Sequence, residues 1–198
     1  MDIPALRGAR VLLRGWEARD AERFAALNAD PVVMEHFPAA LSRSDSDAMI
    51  ARAQTALESR GWGWWCLDVD GNCAGFVGLS VPTFDAHFTP CVEIGWRMAS
   101  ICWGKGYATE AARLVLEFGF GQIGLEEIVS FTTVANWRSR RVMERIGMRR
   151  DPNGDFDHPR LAAGHPQQPH VLYRLRATDF PLKFGSPVAD AIVPVAVP

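Results

Sequence analysis

The chain has 198 residues, of which 48% are apolar, and a formal net charge of −2. This length and composition favour a single domain whose core is large enough to fold without disulfides or a structural metal. The slightly negative charge argues against a nucleic-acid-binding surface, and no apolar run is long enough for a membrane-spanning helix. The four cysteines form no CxxC pair and no signal-peptide pattern opens the chain, so we expect buried free thiols in a cytoplasmic protein.

The first half of the sequence predicts a strand, two helices and a β-hairpin. The helix boundaries follow from capping residues at the starts and from proline or glycine at the ends. The hairpin follows from the turn sequence Asp70-Gly71-Asn72 between two apolar runs. In chain order, the predicted elements are a strand over 9–14, a helix from Asp20 to Asp30, a helix from Ser42 to Gly61, and strands over 62–69 and 73–81.

The second half predicts a mixed arrangement of three strands and two helices. The first of these helices carries an apolar stripe that includes Ala111, Val115 and Leu116, which is typical of a helix packed on a sheet. A proline-rich stretch over 151–169 has no regular pattern. The predicted elements are a strand over 92–98, a helix from Tyr107 to Phe120, a strand over 127–134, a helix from Asn136 to Gly147, and a strand over 170–176.

Strands before and after a helical middle indicate a mixed α/β sheet flanked by helices. We expect one domain over residues 1–180. Residues 181–198 end in a segment rich in proline and alanine, which predicts a poorly ordered tail.

One stretch, Trp103-Gly104-Lys105-Gly106-Tyr107-Ala108, combines a glycine-rich turn with the start of a helix directly after a buried strand. A helix start offers unpaired N–H groups and a positive dipole end, so this arrangement favours an anion, most often a phosphate. It is not a P-loop, because Gly106 stands where Ser or Thr is needed after Lys105. It is not a dinucleotide fingerprint either, because Thr109 stands in place of the third glycine.

The stretch does resemble the pyrophosphate loop of the GNAT N-acetyltransferase superfamily, Q/R-x-x-G-x-G/A, except at its first position. The resemblance extends to Val11-Leu12-Leu13-Arg14 with the segment from Asn28 to Met34, and to the segment from Asn136 to Met148. Trp103 and the following Tyr-Ala-Thr-Glu-Ala are similar to the branch that includes the ribosomal-protein alanine N-acetyltransferases. An ordinary tight strand-to-helix turn is the alternative interpretation of the short loop taken alone.

This resemblance implies a fold and a cosubstrate. The implied fold is a mostly antiparallel mixed sheet of about seven strands, flanked by helices and split at the cofactor cleft. The implied cosubstrate is acetyl-CoA, with no metal. The residues implied to contact it, by their match to the family's strand, loop and second cofactor segment, are Trp96, Arg97, Met98, Trp103, Gly104, Lys105, Gly106, Tyr107, Ala108, Thr109, Asn136 and Ser139.

Glu93 is the first candidate for the general base, because it lies on the central strand between Val92 and Ile94. Apolar neighbours raise the pKa of a carboxyl group, as a base working near neutral pH requires. The alternative is a structural ion pair with an arginine such as Arg97.

Asn136 and Ser139 open the second cofactor segment. Asn136 is a candidate to hold the pantetheine arm or to act as a plain helix cap, and both roles are compatible. Many members of the superfamily place a tyrosine acid seven residues after this Asn, where this chain has Met143. Ser139 is then the candidate donor to the departing thiolate, or a helix serine bonded to a backbone carbonyl.

Two further groups of residues invite an interpretation. His158, His165 and His170, with Asp155 and Asp157, match no zinc spacing, and we expect them to line the acceptor mouth or to be exposed. Trp64 and Trp65 face opposite sides of their strand, so one face belongs to the core and the other is a candidate wall of the acceptor cleft.

The sequence therefore predicts an acetyl-CoA-dependent N-acetyltransferase that acts on a primary amine by direct attack in a ternary complex. The acceptor is a protein N-terminus or a small amine, and the chain is a monomer or a homodimer, without nucleic-acid or membrane partners. One rival is a non-catalytic acyl-CoA-binding protein of the same fold, which the missing tyrosine keeps open. Another is a nucleotide-binding module that uses the same glycine turn.

Overall fold

The computed structural model describes residues 3–181, so the tail predicted over 181–198 lies outside the described residues except for Pro181. The described chain forms two compact units. Unit 1 comprises the described residues of Met1–Ser80 together with Gly95–Leu114, and unit 2 those of Val81–Ile94 and Val115–Pro198. The prediction of one domain over 1–180 stays a prediction.

The elements follow the predicted order, with differences of a few residues at their ends. In chain order they are β1 (Leu6–Arg7), β2 (Leu12–Arg14), α1 (Asp20–Ala29), α2 (Arg43–Arg60), β3 (Trp64–Val69), β4 (Asn72–Ser80), β5 (Glu93–Met98), α3 (Tyr107–Phe118), β6 (Glu127–Thr133), α4 (Trp137–Arg145), β7 (Arg149–Arg150), β8 (Phe156–Asp157) and β9 (Pro169–Arg176). The helix predicted to close at Phe120 continues past α3 as a π-helical turn over Gly119–Ile123.

The strands confirm a mixed, mostly antiparallel sheet flanked by helices. In unit 1 the strand order is β1-β2-β3-β4 and then the end of β5; in unit 2 it is the start of β5, then β6, β9 and β7, with β8 also on β9. The β5–β6 pair is parallel, with Glu93 opposite Val129, whereas β6 and β9 are antiparallel. The described residues form nine strands where about seven are predicted, because two-residue strands such as β8 carry no sequence periodicity.

The two helix starts in the first half of the chain differ in kind. Ser42 caps α2 as predicted, since its side chain accepts a hydrogen bond from the backbone N–H of Asp45, and Gly61 ends the helix at φ 76°. Asp20, in contrast, is the first residue of α1 rather than its cap. Its carboxylate accepts a hydrogen bond from the backbone N–H of Glu17 and is otherwise committed to a buried arginine.

That arginine is Arg14, which forms a buried charge cluster in unit 1. Its Nη1 and Nη2 donate to the two carboxylate oxygens of Asp20 at 2.7 and 2.9 Å, and its Nε donates to Asp68 at 2.9 Å. Burial raises the pKa of Asp20, but the hydrogen bonds from Arg14 and Glu17 outweigh it and hold that pKa below its usual value. The guanidinium thus links β2 to α1 and β3 with its charge compensated.

Cys66 and Cys73 lie beside this cluster. All four cysteines are free, as predicted, but only Cys66 and Cys73 are buried, whereas Cys91 and Cys102 are half-buried. The pKa of Cys66 is raised by its hydrogen bond to Cys73, by burial and by the charge of Asp20. The hydrogen bond from Cys66 lowers the pKa of Cys73.

Among residues 3–181, no helix is both long and apolar enough to cross a membrane.

The charge cluster yields a stability prediction. Replacing Asp20 with Asn removes one partner of the buried Arg14 charge and should lower the free energy of unfolding by about 3 kcal/mol. Urea denaturation at pH 7 measures the loss. The control is Asp47→Asn, which removes an exposed ion pair with Arg43 and should cost at most about 0.5 kcal/mol. Equal effects of the two variants would contradict the importance of the buried cluster.

Candidate active site

The glycine turn lies at the end of β5 in unit 1. A short 3₁₀ helix over Ser100–Cys102 follows the strand, and α3 then begins at Tyr107. Gly104 and Gly106 have φ angles of 76° and 83°, a region that residues with a Cβ atom rarely adopt. A Cβ atom added at Gly104 would meet nothing within 4 Å. The turn is therefore open to a ligand at the N-terminus of a helix, which is the geometry predicted for an anion site.

Side chains from distant parts of unit 1 hold this turn. The Nη1 of Arg10 donates to the carbonyl oxygen of Lys105 at 2.9 Å, while its Nε donates to Glu110 in the first turn of α3 at 2.8 Å. The Trp103 indole donates to the carbonyl oxygen of Met98 at 2.9 Å. Sequence reasoning misses Arg10, because 95 residues separate it from Lys105 and no local pattern links the two.

A pocket of about 470 Å³ in unit 1 borders the turn. Lys105 and Tyr107 line it from the turn, and Arg23 and Asp30 line it from α1 and its C-terminal end. Asp30 also accepts a hydrogen bond from Ser100 at 3.0 Å, which ties the start of the 3₁₀ helix to α1. The pocket gives room beside the turn for a ligand larger than a phosphate group.

The other predicted contact residues of unit 1 lie on the strand before the turn and on the helix after it. Met98 is buried, whereas Trp96 and Arg97 are half-buried on β5. Ala108 and Thr109 lie in the first turn of α3, where backbone N–H groups have no partner within the helix. Contact of these residues with a cofactor stays a prediction.

Asn136 and Ser139 lie at the start of α4 in unit 2. Asn136 caps the helix, since its Oδ1 accepts the backbone N–H of Ser139 at 3.1 Å, and its Nδ2 donates to Thr132 at 2.9 Å. The cap interpretation of Asn136 is therefore confirmed, and its cofactor contact stays a prediction. Ser139 follows Trp137 and Arg138 in the sequence. These two residues are exposed, whereas Ser139 is half-buried.

Met143, in the position of the superfamily's tyrosine, is only 1% exposed and belongs to the core of unit 2. A tyrosine nevertheless approaches α4 from β9: the Oη of Tyr173 donates to Glu144 at 3.1 Å and accepts from the Nε of Arg140 at 3.3 Å. Both hydrogen bonds connect β9 to α4, so the hydroxyl of Tyr173 has a structural role.

Glu93 begins β5 and is half-buried. The strand is fixed at this point, because Val129 donates its backbone N–H to Val92 and Ser130 donates its hydroxyl to Ile94, both at 2.9 Å. Burial, followed by the charge of Glu93, raises the pKa of Cys91 to about 12. The Arg97 guanidinium donates to Asn28, and the alternative of a structural ion pair between Glu93 and an arginine stays a prediction.

The predicted histidine group is partly assembled, inside an aromatic cluster of unit 2. The rings of His158 and His170 lie 5.0 Å apart, and Phe84 lies 4.7 Å from His158. Burial, with the charges of His170 and Arg160, lowers the pKa of His158 to about 4, and burial lowers that of His170. Both rings are therefore neutral near pH 7.

Among the described residues, the side chains close enough together to share a metal ion are Asp20, Cys66 and Cys73, not the loop histidines. The oxygens of Asp20 already accept three hydrogen bonds, two from Arg14 and one from Glu17. This group is accordingly part of the charge cluster of unit 1.

Comparison with known proteins now identifies the family. The model of the acetyltransferase (GNAT) domain matches residues 10–149. The chain belongs to this family.

Individual GNAT relatives are distant. The chain is 30% identical over 152 residues to the FsC-acetyl coenzyme A-N(2)-transacetylase of Aspergillus fumigatus, across 73% of this chain and 65% of that protein's length. It is 32% identical over 142 residues to the protein YkkB of Bacillus subtilis, across 70% and 81% of the two chains. The crystal structure of a GNAT-family acetyltransferase from Bacillus anthracis has 26% identity and a TM-score of 0.72, over 88% and 99% of the chains. Membership supports acetyl-CoA-dependent acetyl transfer in general and specifies no acceptor.

The glycine turn yields a binding prediction for this GNAT domain. Gly106→Asp adds a negative charge where the pyrophosphate of coenzyme A is expected and forces a non-glycine residue to φ 83°. It should weaken coenzyme A binding at least about tenfold in isothermal titration calorimetry.

The matched control for this variant is Gly164→Asp, at φ 81° with nothing within 4 Å of its Cβ position. This control imposes a similar backbone strain at a position distant in sequence from the glycine turn. It should leave the affinity for coenzyme A unchanged. Wild-type affinity in Gly106→Asp would remove the turn as the phosphate site.

The histidine cluster yields a pH prediction. The folded pKa of His158 lies below its unfolded value of about 6.5, so between pH 6.5 and 4 the unfolded chain binds a proton that the folded chain does not. Stability should therefore fall as the pH drops through this window. His158→Phe should flatten the slope of unfolding free energy against pH, whereas His36→Gln, outside the cluster, should leave it as in the wild type. An unchanged slope in His158→Phe would contradict the assignment.

Proposed function

We propose that this chain is an N-acetyltransferase that moves the acetyl group of acetyl-CoA to a primary amine by direct attack in a ternary complex. The observation that carries the proposal is the turn at Gly104 and Gly106, which has open space at Gly104 and leads directly into the N-terminal amides of α3. These residues suit a pyrophosphate, because the amides donate to its oxygens and the absent side chains allow close approach. When bound, acetyl-CoA supplies the thioester that the amine attacks.

The roles of the remaining residues follow from their positions. Backbone N–H groups of Trp96–Met98 would hold the pantetheine arm and polarise the thioester carbonyl. Glu93 would take the proton of the amine, directly or through water. Ser139 would donate to the departing thiolate, in place of the tyrosine that Met143 replaces. Asn136 would hold the pantetheine arm with the hydrogen-bonding capacity that its capping role leaves.

The thiols support direct attack over an acyl-enzyme intermediate. A cysteine nucleophile needs a lowered pKa and access to the substrate. Burial raises the pKa of Cys91 and of Cys102, and the bond to Cys73 raises that of Cys66. Cys73 has a lowered pKa but is only 6% exposed. None of the four combines both properties.

The acceptor within this proposal is a small-molecule amine or a protein N-terminus, met in the cytoplasm by a monomer or a homodimer. The experiment that tests the function is release of free coenzyme A from acetyl-CoA across a panel of amines and N-terminal peptides. Acetylated product must appear in equal amount. A chain that binds coenzyme A but releases none with any amine would instead be a non-catalytic acyl-CoA-binding protein, the alternative that Met143 favours.

Proton handling gives the sharpest prediction for catalysis. Glu93→Gln should lower kcat roughly a hundredfold and remove the acidic limb of the pH–rate profile, because a base is inactive once it is protonated. The KM for acetyl-CoA should stay near the wild-type value. The control is Glu22→Gln, an exposed carboxylate on α1 without an assigned role. An unchanged pH–rate profile in Glu93→Gln would exclude Glu93 as the base.

A smaller effect is expected at the proposed acid. Ser139→Ala should lower kcat about tenfold, and less for thioesters with a more acidic leaving thiol, which need no proton. A uniform effect across leaving groups would show that Ser139 acts only on the start of α4.

A further inference from the structure

Arg97 is half-buried in unit 1 and, unlike the buried Arg14, donates its hydrogen bonds to neutral acceptors. Both of its hydrogen bonds leave from Nη1, one to Asn28 Oδ1 at 2.7 Å and a long one to Met49 Sδ at 3.9 Å. Its Nε is buried without an acceptor. Burial accordingly lowers the pKa of Arg97 to about 10. Arg14, by comparison, bonds two carboxylates.

Trp64 carries a second donor without an acceptor, and it shares the neighbour Phe76 with Arg97. The Trp64 ring stacks on Phe76 at 4.7 Å, and its indole Nε1 is buried without a hydrogen-bond partner. The Cζ atom of Arg97 lies 5.8 Å from the same Phe76 ring and 4.1 Å from the Phe37 ring. The two buried N–H donors therefore belong to side chains that neighbour the same aromatic ring. Unpaired buried donors are costly, so such a pair indicates that an acceptor from outside the chain completes them.

The surroundings hold the Arg97 side chain in one orientation. Asn28 is fully buried, and its Nδ2 donates to Ser46 Oγ at 2.9 Å, which leaves its Oδ1 facing Arg97. Asn28 thereby anchors Nη1 and leaves the Nε edge of the guanidinium without a partner. A fixed guanidinium edge is suited to a carboxylate, whose two oxygens match its paired N–H groups.

We propose that Arg97 and Trp64 form a carboxylate subsite for the acceptor, so that the favoured substrate is an amine that also bears a carboxylate. The inference rests on the proposed function, which places the thioester along the backbone of Trp96–Met98, from which the Arg97 side chain extends. The guanidinium carries one positive charge, which balances the single negative charge of a carboxylate, and the indole adds a neutral N–H donor. A phosphate dianion would leave one negative charge unbalanced among aromatic rings.

The test compares matched acceptors that differ only in charge. Glycine, β-alanine, 4-aminobutanoate and phenylalanine are assayed beside their carboxamides, and kcat/KM is measured for each. We expect the wild type to prefer the acid of at least one pair by tenfold or more, since a charge-assisted bidentate contact is lost in the amide. Arg97→Met should bring this acid-over-amide ratio to about one. Trp64→Phe, which removes only the indole N–H and keeps an aromatic ring, should lower the ratio severalfold.

The chain offers a matched control in Arg60. Its guanidinium lies 4.0 Å from the Trp62 ring, but its Nε donates to the Trp62 carbonyl oxygen, whereas the Nε of Arg97 has no acceptor. Arg60→Met should leave the acid-over-amide ratio at the wild-type value. If Arg97→Met does not fold, Arg97→Lys tests the same point, because it retains the charge without the planar edge and should still lower the ratio.

Binding without turnover separates this inference from the proposed function. The N-acetylated acids and amides are titrated into the protein with coenzyme A present. Arg97-dependent binding of the acids, with no turnover of any amine, would overturn the proposed function and uphold the subsite. Turnover of amines without an acid preference in the wild type, or with the same ratio in Arg97→Met, would overturn the subsite. Preference for aminoalkyl phosphonates over the carboxylates would overturn its assignment to a carboxylate.

Discussion

Two positive φ angles, at Gly104 and Gly106, determine what the end of β5 can bind. They let the chain pass from strand to helix in a few residues without a side chain at either glycine, and Arg10 Nη2 lies 3.4 Å from the Cβ position of Gly106. Those amides would otherwise need a cap from the protein itself. Arg10 and Trp103 hold the turn from outside, by bonds to the carbonyl oxygens of Lys105 and Met98. The open helix start is thus maintained by contacts that leave its donors available to a ligand.

Buried charge is the second constraint on unit 1, and it is met in two different ways. Arg14 sits between Asp20 and Asp68, and all three side chains are satisfied within the chain. Arg97 contacts the amide oxygen of Asn28, the sulfur of Met49 and aromatic faces. The first arrangement is what a protein needs to connect β2, β3 and α1. In the second arrangement the guanidinium can bind a negatively charged group of a ligand. Acceptors that carry such a group would then bind more tightly than those that do not.

The sequence predicts the element order, the glycine turn and the cap at Asn136, because each depends on residues within a few positions of one another. It does not predict β8, which is too short for periodicity, or the commitment of Asp20 to Arg14 rather than to a helix cap. The sequence also predicts a role for the backbone of Arg97, as a cofactor contact, but none for its side chain. The partners of that side chain, Asn28 and Phe37, are about sixty to seventy residues away, and such contacts leave no local spacing to detect.

Direct attack can be tested by intact-protein mass spectrometry combined with a thiol assay after mixing the protein with acetyl-CoA. Without an amine, a direct-attack enzyme releases no coenzyme A beyond spontaneous hydrolysis and gains no acetyl group. With a competent amine, direct attack predicts one acetylated amine for each coenzyme A released. A protein that takes up one acetyl group in the absence of amine, and then passes it on, would contradict direct attack.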